Sequence, residues 1–230
     1  MYLTRHKDSV EGVDLQASIL IIGAGSIGSY ATLALAKVGF SNITVIDDGM
    51  VEEENIAPQF FTIKQMRKAK VEALKSSIKL HTNSDITAIK ERVTELNIKE
   101  IFSVIKPKVV ISALDSMDGR KQILYGLSRV MSDCYLFLDA RMSIQFLSII
   151  SLDPYLSGHR EWYSKTLFSD ENAVQEACTN KAISYTSLIA GALICKYTIQ
   201  GLKQVNESKS SEKRKFIINY DLLNDDLLKI

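Results

Sequence analysis

No Cys-x-x-Cys pair occurs in these 230 residues, and the three cysteines, Cys134, Cys178 and Cys195, stand far apart. A structural zinc site needs a close set of Cys and His ligands. His6, His81 and His159 are scattered as well, so no zinc is expected. Three isolated cysteines make no disulfide framework and fit a reducing compartment, so a cytoplasmic protein is expected. A long apolar run is also missing. The strongest, 182–195, is shorter than the roughly 20 residues of a membrane span, and Lys181 and Lys196 bracket it. Residues 1–11 are polar and lack the apolar core of a signal peptide. Charge of one sign is absent too. With 28 Lys and Arg against 27 Asp and Glu the net charge is +1, which offers no field for nucleic acid or a membrane surface. Neither an internal repeat nor a linker is visible, so 1–230 reads as one domain with residues 1–17 as an N-terminal arm.

What is present is alternation. Apolar runs at 19–22, 43–46, 86–89, 109–113 and 135–138 read as strands. Helical spacing at 27–38, 64–80, 98–105 and 120–131 lies between and after them. Such βα alternation predicts an α/β fold, a Rossmann-like and mainly parallel sheet with helices on both faces. The run 146–152 is expected to extend it with an antiparallel strand on the C-terminal side. Residues 153–175 show no clear period and read as an irregular segment that covers a substrate. A long helix over 177–203, a flexible loop over 206–215 and an edge strand over 216–220 complete the expectation.

Gly23, Gly25 and Gly28 form G-x-G-x-x-G directly after a strand and directly before a helix. In that setting the first glycine permits the turn, the second lets backbone approach phosphate, and the third lets helix and strand pack closely. The helix N-terminus then offers free N–H groups to an anion. Asp47 ends the next strand, where a carboxylate accepts from ribose hydroxyls. The motif does not separate NAD, FAD and ATP, since all three carry phosphates and ribose.

Residues beyond Asp47 separate them. Asn55 and Gln59 lie in "ENIAPQF", Lys70 in "KAKVEALK", and Asp115 and Arg120 in "VVISALDSMDGR". This order, from about residue 18 to 202, resembles the ThiF/MoeB/HesA family, adenylyltransferases related to the ubiquitin-activating enzymes. The resemblance implies ATP and Mg²⁺ as cofactors, with Lys70 on the phosphates, Asn55 and Gln59 as uncharged donors, Asp115 as the metal- and phosphate-facing carboxylate and Arg120 as the helix arginine. It implies adenylylation of a carboxylate, most plausibly the C-terminus of a small ubiquitin-like or sulfur-carrier protein. It also implies a homodimer, in which Arg5 would reach the neighbour's nucleotide. The simpler readings are that Lys70 is a solvated helix lysine and that Asp115 is a helix N-cap.

Two positions depart from the family pattern. Pro58 stands where the family's loop has arginine, and Gly49 where it has a second acid. Arg5, Arg67, Lys68 and Arg141 are candidates for the missing cation. Arg141 has two further readings, as the structural ion-pair partner of Asp139 or as the group that meets the incoming carboxylate. The departures keep a non-catalytic carrier-binding subunit as an alternative, with a NAD-dependent oxidoreductase behind it. Cys178 resembles the family cysteine that accepts the activated acyl group in several members. A thiol at a helix N-terminus beside Lys181 favours its thiolate, Glu176 opposes this, and plain burial is the other reading. Cys134 and Cys195 read as core packing.

Overall fold

The structure, a computed structural model, describes residues 7–129, 134–169, 183–206 and 211–230. Eight strands form one sheet in the order β3-β2-β1-β4-β5-β6-β7-β8. Strands β1 (Ile19–Ile22), β2 (Ile43–Ile46), β3 (Thr87–Ile89), β4 (Val109–Ser112) and β5 (Leu136–Met142) run parallel. Strands β6 (Phe146–Leu152), β7 (Phe216–Asp221) and β8 (Asp226–Lys229) continue antiparallel.

Strand alternation divides the core in two. Ile19 and Ile21 of β1 face α1 (Ser26–Val38), α2 (Lys70–Thr82) and α6 (Ser184–Asn206). Leu20 and Ile22 face α3 (Ile98–Ile105), α4 (Met117–Arg129) and α5 (Ser157–Ser164). Helices on both faces are why β1, β2 and β4 read as unbroken apolar runs, since every side chain in them is buried. Helix α1 ends where Gly39 turns left-handed at φ 118° and its N–H reaches the carbonyls of Leu35 and Ala36.

Several elements differ from the sequence expectation. Helix α2 begins at Lys70, not at 64: Arg67 sits at φ 65°, and Val51 exchanges backbone hydrogen bonds with Arg67 and Lys68, which holds that stretch against residues 50–51. The 153–175 segment is not irregular throughout, because α5 lies within it. Its buried residues are His159 and Tyr163, polar types that leave no hydropathy period. The 206–215 loop contains a 3-10 turn, Ser211–Arg214, whose Arg214 is buried against the Asp153 carboxylate. Strand β5 runs on through Asp139 to Met142 instead of stopping at 138. Strand β7 is not the sheet edge, because β8 pairs with it, exposed along its whole length.

Candidate active site

The candidate site lies where β1 is flanked by β2 on one side and β4 on the other, the switch point at which doubly wound sheets bind ligands. Gly23 turns the chain at φ 102°, and a Cβ there would stand 2.5 Å from the Ala113 carbonyl oxygen. A Cβ on Gly28 would stand 1.9 Å from the Gly23 oxygen, whereas one on Gly25 meets nothing within 4 Å. The first and third glycines are thus required by packing, and the second faces open space. Gly25 caps α1 without a side-chain bond, and no acid stands in the first turn. Free N–H groups and the positive end of the helix dipole remain for an anion.

Asp47 braces this turn. Its Oδ2 accepts from the Ala24 N–H at 2.7 Å and its Oδ1 from the Gly49 N–H at 2.7 Å. A carboxylate has about four acceptor positions, so capacity for a ribose hydroxyl is left. A Cβ on residue 49 would lie 2.9 Å from Asp47 Oδ1 and 3.4 Å from Cδ and Cε of Lys70. Glycine at 49 therefore lets the Lys70 stem lie beside Asp47. The Lys70 N–H also bonds the Gly49 carbonyl at 3.0 Å, which fixes the helix start to the end of β2.

Asn55 uses its Oδ1 to accept the Glu52 N–H at 3.1 Å, and its Nδ2 has no partner among the described residues. Gln59 is 8% exposed, and its enclosed Oε1 has no hydrogen-bond partner among the described residues. The loop that carries both is tied to α1 by the Phe60 N–H on Ser29 Oγ at 3.0 Å.

Asp115 lies in the link between β4 and α4, exposed and without a hydrogen-bond or ionic partner among the described residues. It is not the helix cap, because Ser116 Oγ accepts the Gly119 N–H at 3.2 Å. Asp118 pairs with Lys121 at 2.8 Å. Arg120 is 3% exposed. Its Nη2 donates to Leu114 O at 2.6 Å, its Nη1 to Ser116 O at 3.1 Å and its Nε to Asp139 Oδ1 at 2.9 Å. The guanidinium thus braces the link that holds Asp115. Arg141 donates Nε to Asp139 Oδ2 at 2.7 Å and both terminal nitrogens to Thr166, so its ion-pair reading is the one realised. Tyr163, which the sequence reading did not single out, donates its hydroxyl to Asp139 Oδ2 at 3.0 Å. Burial, and next the Asp139 charge, push that hydroxyl well above the usual tyrosine range.

Cys178 and Arg5 lie outside the described residues. The other two thiols are buried, and burial pushes Cys134 up to about 12 and Cys195 up to about 11. Among the described residues no three His, Cys, Asp or Glu side chains cluster as a metal cage, and no helix is long and apolar enough to cross a membrane.

A family model described as the ThiF family matches residues 14–229. The chain belongs to the ThiF family. Over 116 residues it is 33% identical to a NEDD8-activating enzyme E1 catalytic subunit of Dictyostelium discoideum, a match that covers 50% of this chain and 26% of that protein. Over 111 residues it is 30% identical to the sulfur carrier protein ThiS adenylyltransferase of Escherichia coli K12, covering 47% of this chain and 43% of that one. The chain therefore spans well under two thirds of the length of these relatives. The crystal structure of E. coli MccB with ATP superposes with a TM-score of 0.69 at 13% identity, covering 96% of this chain and 65% of that one. Within the ThiF fold so established, Lys70 stands on the β2 side of the glycine turn and Asp115 on the β4 side.

Proposed function

We propose that this ThiF-family chain adenylylates a carboxylate with ATP. A carboxylate oxygen attacks the α-phosphorus, the bond from that phosphorus to the bridging oxygen breaks, and pyrophosphate leaves. Two anions must meet in such a step, so the site has to neutralise charge where it develops. The observation that carries the reading is the pairing across the glycine turn: a lysine stem laid over Gly49 on one side, and on the other a carboxylate with no partner among the described residues. A lone carboxylate suits Mg²⁺, which binds through one or two carboxylates plus substrate phosphates instead of an all-protein cage. Asp115 would hold it, and the ion would supply positive charge to the triphosphate. Asn55 Nδ2 and the enclosed Gln59 oxygen would meet polar groups of the nucleotide, and Asp47 its ribose.

The acceptor is the C-terminus of a small sulfur-carrier or ubiquitin-like protein, the kind of partner that the names of the similar E. coli and Dictyostelium enzymes carry. Acyl transfer to the Cys178 thiol with release of AMP is the second step, a role carried over from the family resemblance. The Cys134 and Cys195 thiols are buried, and burial pushes both well above the usual thiol range, which suits neither to it. Family membership sets hydride transfer aside. With Arg141 committed to Asp139 and Thr166, exposed Arg67 and Lys68 remain as stand-ins for the arginine that Pro58 replaces, together with Arg5 from a second subunit of a homodimer. The test is carrier-dependent ATP–pyrophosphate exchange. Exchange that disappears in Asp115→Ala supports the reading. A carrier that binds tightly with no exchange identifies a non-catalytic subunit instead.

A further inference from the structure

Around Asp139 lies a buried ionic cluster that the proposed chemistry does not use. Asp139 is 0% exposed inside β5, and its carboxylate serves three donors: Arg120 Nε at 2.9 Å, Arg141 Nε at 2.7 Å and Tyr163 Oη at 3.0 Å. Ser112 stands opposite Asp139 in the β4–β5 register, yet its buried hydroxyl has no partner among the described residues. It gives Arg120 no help.

The geometry of Arg120 gives the cluster its meaning. A guanidinium is a flat fork with donors in fixed directions. Once Nε is held on Asp139, the plane of the fork is set. In that plane Nη2 meets the Leu114 carbonyl at 2.6 Å and Nη1 the Ser116 carbonyl at 3.1 Å. Those two carbonyls flank residue 115. The Asp115 side chain has no hydrogen bond or ion pair of its own among the described residues, so its position depends on the backbone on either side of it. The second arm of Asp139 runs through Arg141 to Thr166 and through Tyr163 to α5, which fixes the carboxylate itself.

We propose that Asp139 is a positioning residue for the metal- and phosphate-facing carboxylate of Asp115, acting through Arg120. This rests on the adenylylation reading. Outer groups that orient a metal-binding carboxylate typically change metal affinity or activity by about ten- to a hundredfold when removed.

The experiment uses Mn²⁺ as a paramagnetic probe with α,β-methylene-ATP, reading free Mn²⁺ by electron paramagnetic resonance. Asp139→Asn is expected to weaken Mn²⁺ binding to the nucleotide complex about tenfold. Nucleotide affinity measured without metal stays within about twofold of the starting protein, and kcat for pyrophosphate exchange falls while KM for the carboxylate holds. In an Arg120→Lys background the same change adds less than about twofold, because coupled residues are not additive. A folded Asp139→Asn protein with undiminished Mn²⁺ affinity overturns the proposal, as does a fully additive loss in the Arg120→Lys background. Should Asp139→Asn fail to fold, Tyr163→Phe decides: it keeps the ring and removes only the hydroxyl. A loss of about two- to threefold in Mn²⁺ affinity is then expected, and none overturns the idea. Asp115→Asn separates the two levels. If it too leaves Mn²⁺ affinity and exchange untouched, the adenylylation reading itself has failed. If it abolishes both while Asp139→Asn changes neither, only the role of Asp139 has.

Discussion

On the β2 side of the glycine turn the chain is held by backbone hydrogen bonds and the half-buried Asp47 carboxylate, and on the β4 side a cluster of buried ions is added. Lys70 N–H meets Gly49 O at 3.0 Å, Val51 N–H meets Lys68 O at 2.9 Å and Arg67 N–H meets Val51 O at 2.8 Å. Across the turn, Arg120, Asp139, Arg141 and Tyr163 form a cluster in which the carboxylate has no exposure. The difference follows from the two side chains each side must present. Lysine carries its charge on a flexible four-carbon stem and can follow a phosphate as it moves. Aspartate carries its charge one carbon from the backbone, so its oxygens go only where the backbone puts them. Reach can replace precision on one side. On the other, precision has to be built, and a flat guanidinium gripping two carbonyls builds it.

The contrast is broken most severely by removing the two charges themselves. Asp115→Ala is expected to lower the rate of exchange about a thousandfold, and Lys70→Met about a hundredfold, in the range found for groups that stabilise transition-state charge. The two should also differ in kind. Raising Mg²⁺ should recover part of the Lys70→Met loss, since a second cation offsets a missing point charge, and none of the Asp115→Ala loss. Equal recovery in both variants would mean that the two sides do not divide the work as their construction implies.

A smaller effect is expected where the β2 side is tightest. A Cβ at 49 falls 2.9 Å from Asp47 Oδ1 and 3.4 Å from the Lys70 stem. Gly49→Ala should displace one or both, raising KM for ATP about tenfold while leaving the melting temperature within a few degrees. A change in melting temperature with KM intact would place Gly49 in the fold instead of the site.

The β2 side was the more legible in the sequence. The run 19–22, the glycine turn and the strand ending at Asp47 all sit where local pattern puts them, because strands buried on both faces and glycines with no room for a Cβ leave plain marks. The ionic cluster left almost none. Apart from the Asp139–Arg141 pair, which the sequence suggests, its members come from α4, α5 and the turn after α5, and the fold brings them to β5. A charged residue within a buried strand even reads as that strand's end, which is why β5 was expected to stop before Asp139. Helix α5 was hidden because its core residues are a histidine and a tyrosine. Strand β8 was hidden because none of its residues is buried, so hydropathy has nothing to alternate against. The start of α2 was misplaced by six residues' worth of helical spacing that the Arg67 turn interrupts.

The finest probe of the comparison is the helix cap. Ser116 Oγ accepts the Gly119 N–H, and Ser116→Ala removes that bond and nothing else in the link. A lost N-cap costs about 0.5–2 kcal/mol of stability, to be read from a denaturant titration. Activity should hardly follow, with exchange falling less than about threefold, because Arg120 holds the carbonyl of residue 116 and not its side chain. The backbone on either side of Asp115 then stays where the guanidinium keeps it while the helix loses its cap. If exchange instead collapses in proportion to the lost stability, the Asp115 link is positioned by the helix end, and the buried ions beneath it are scaffold alone.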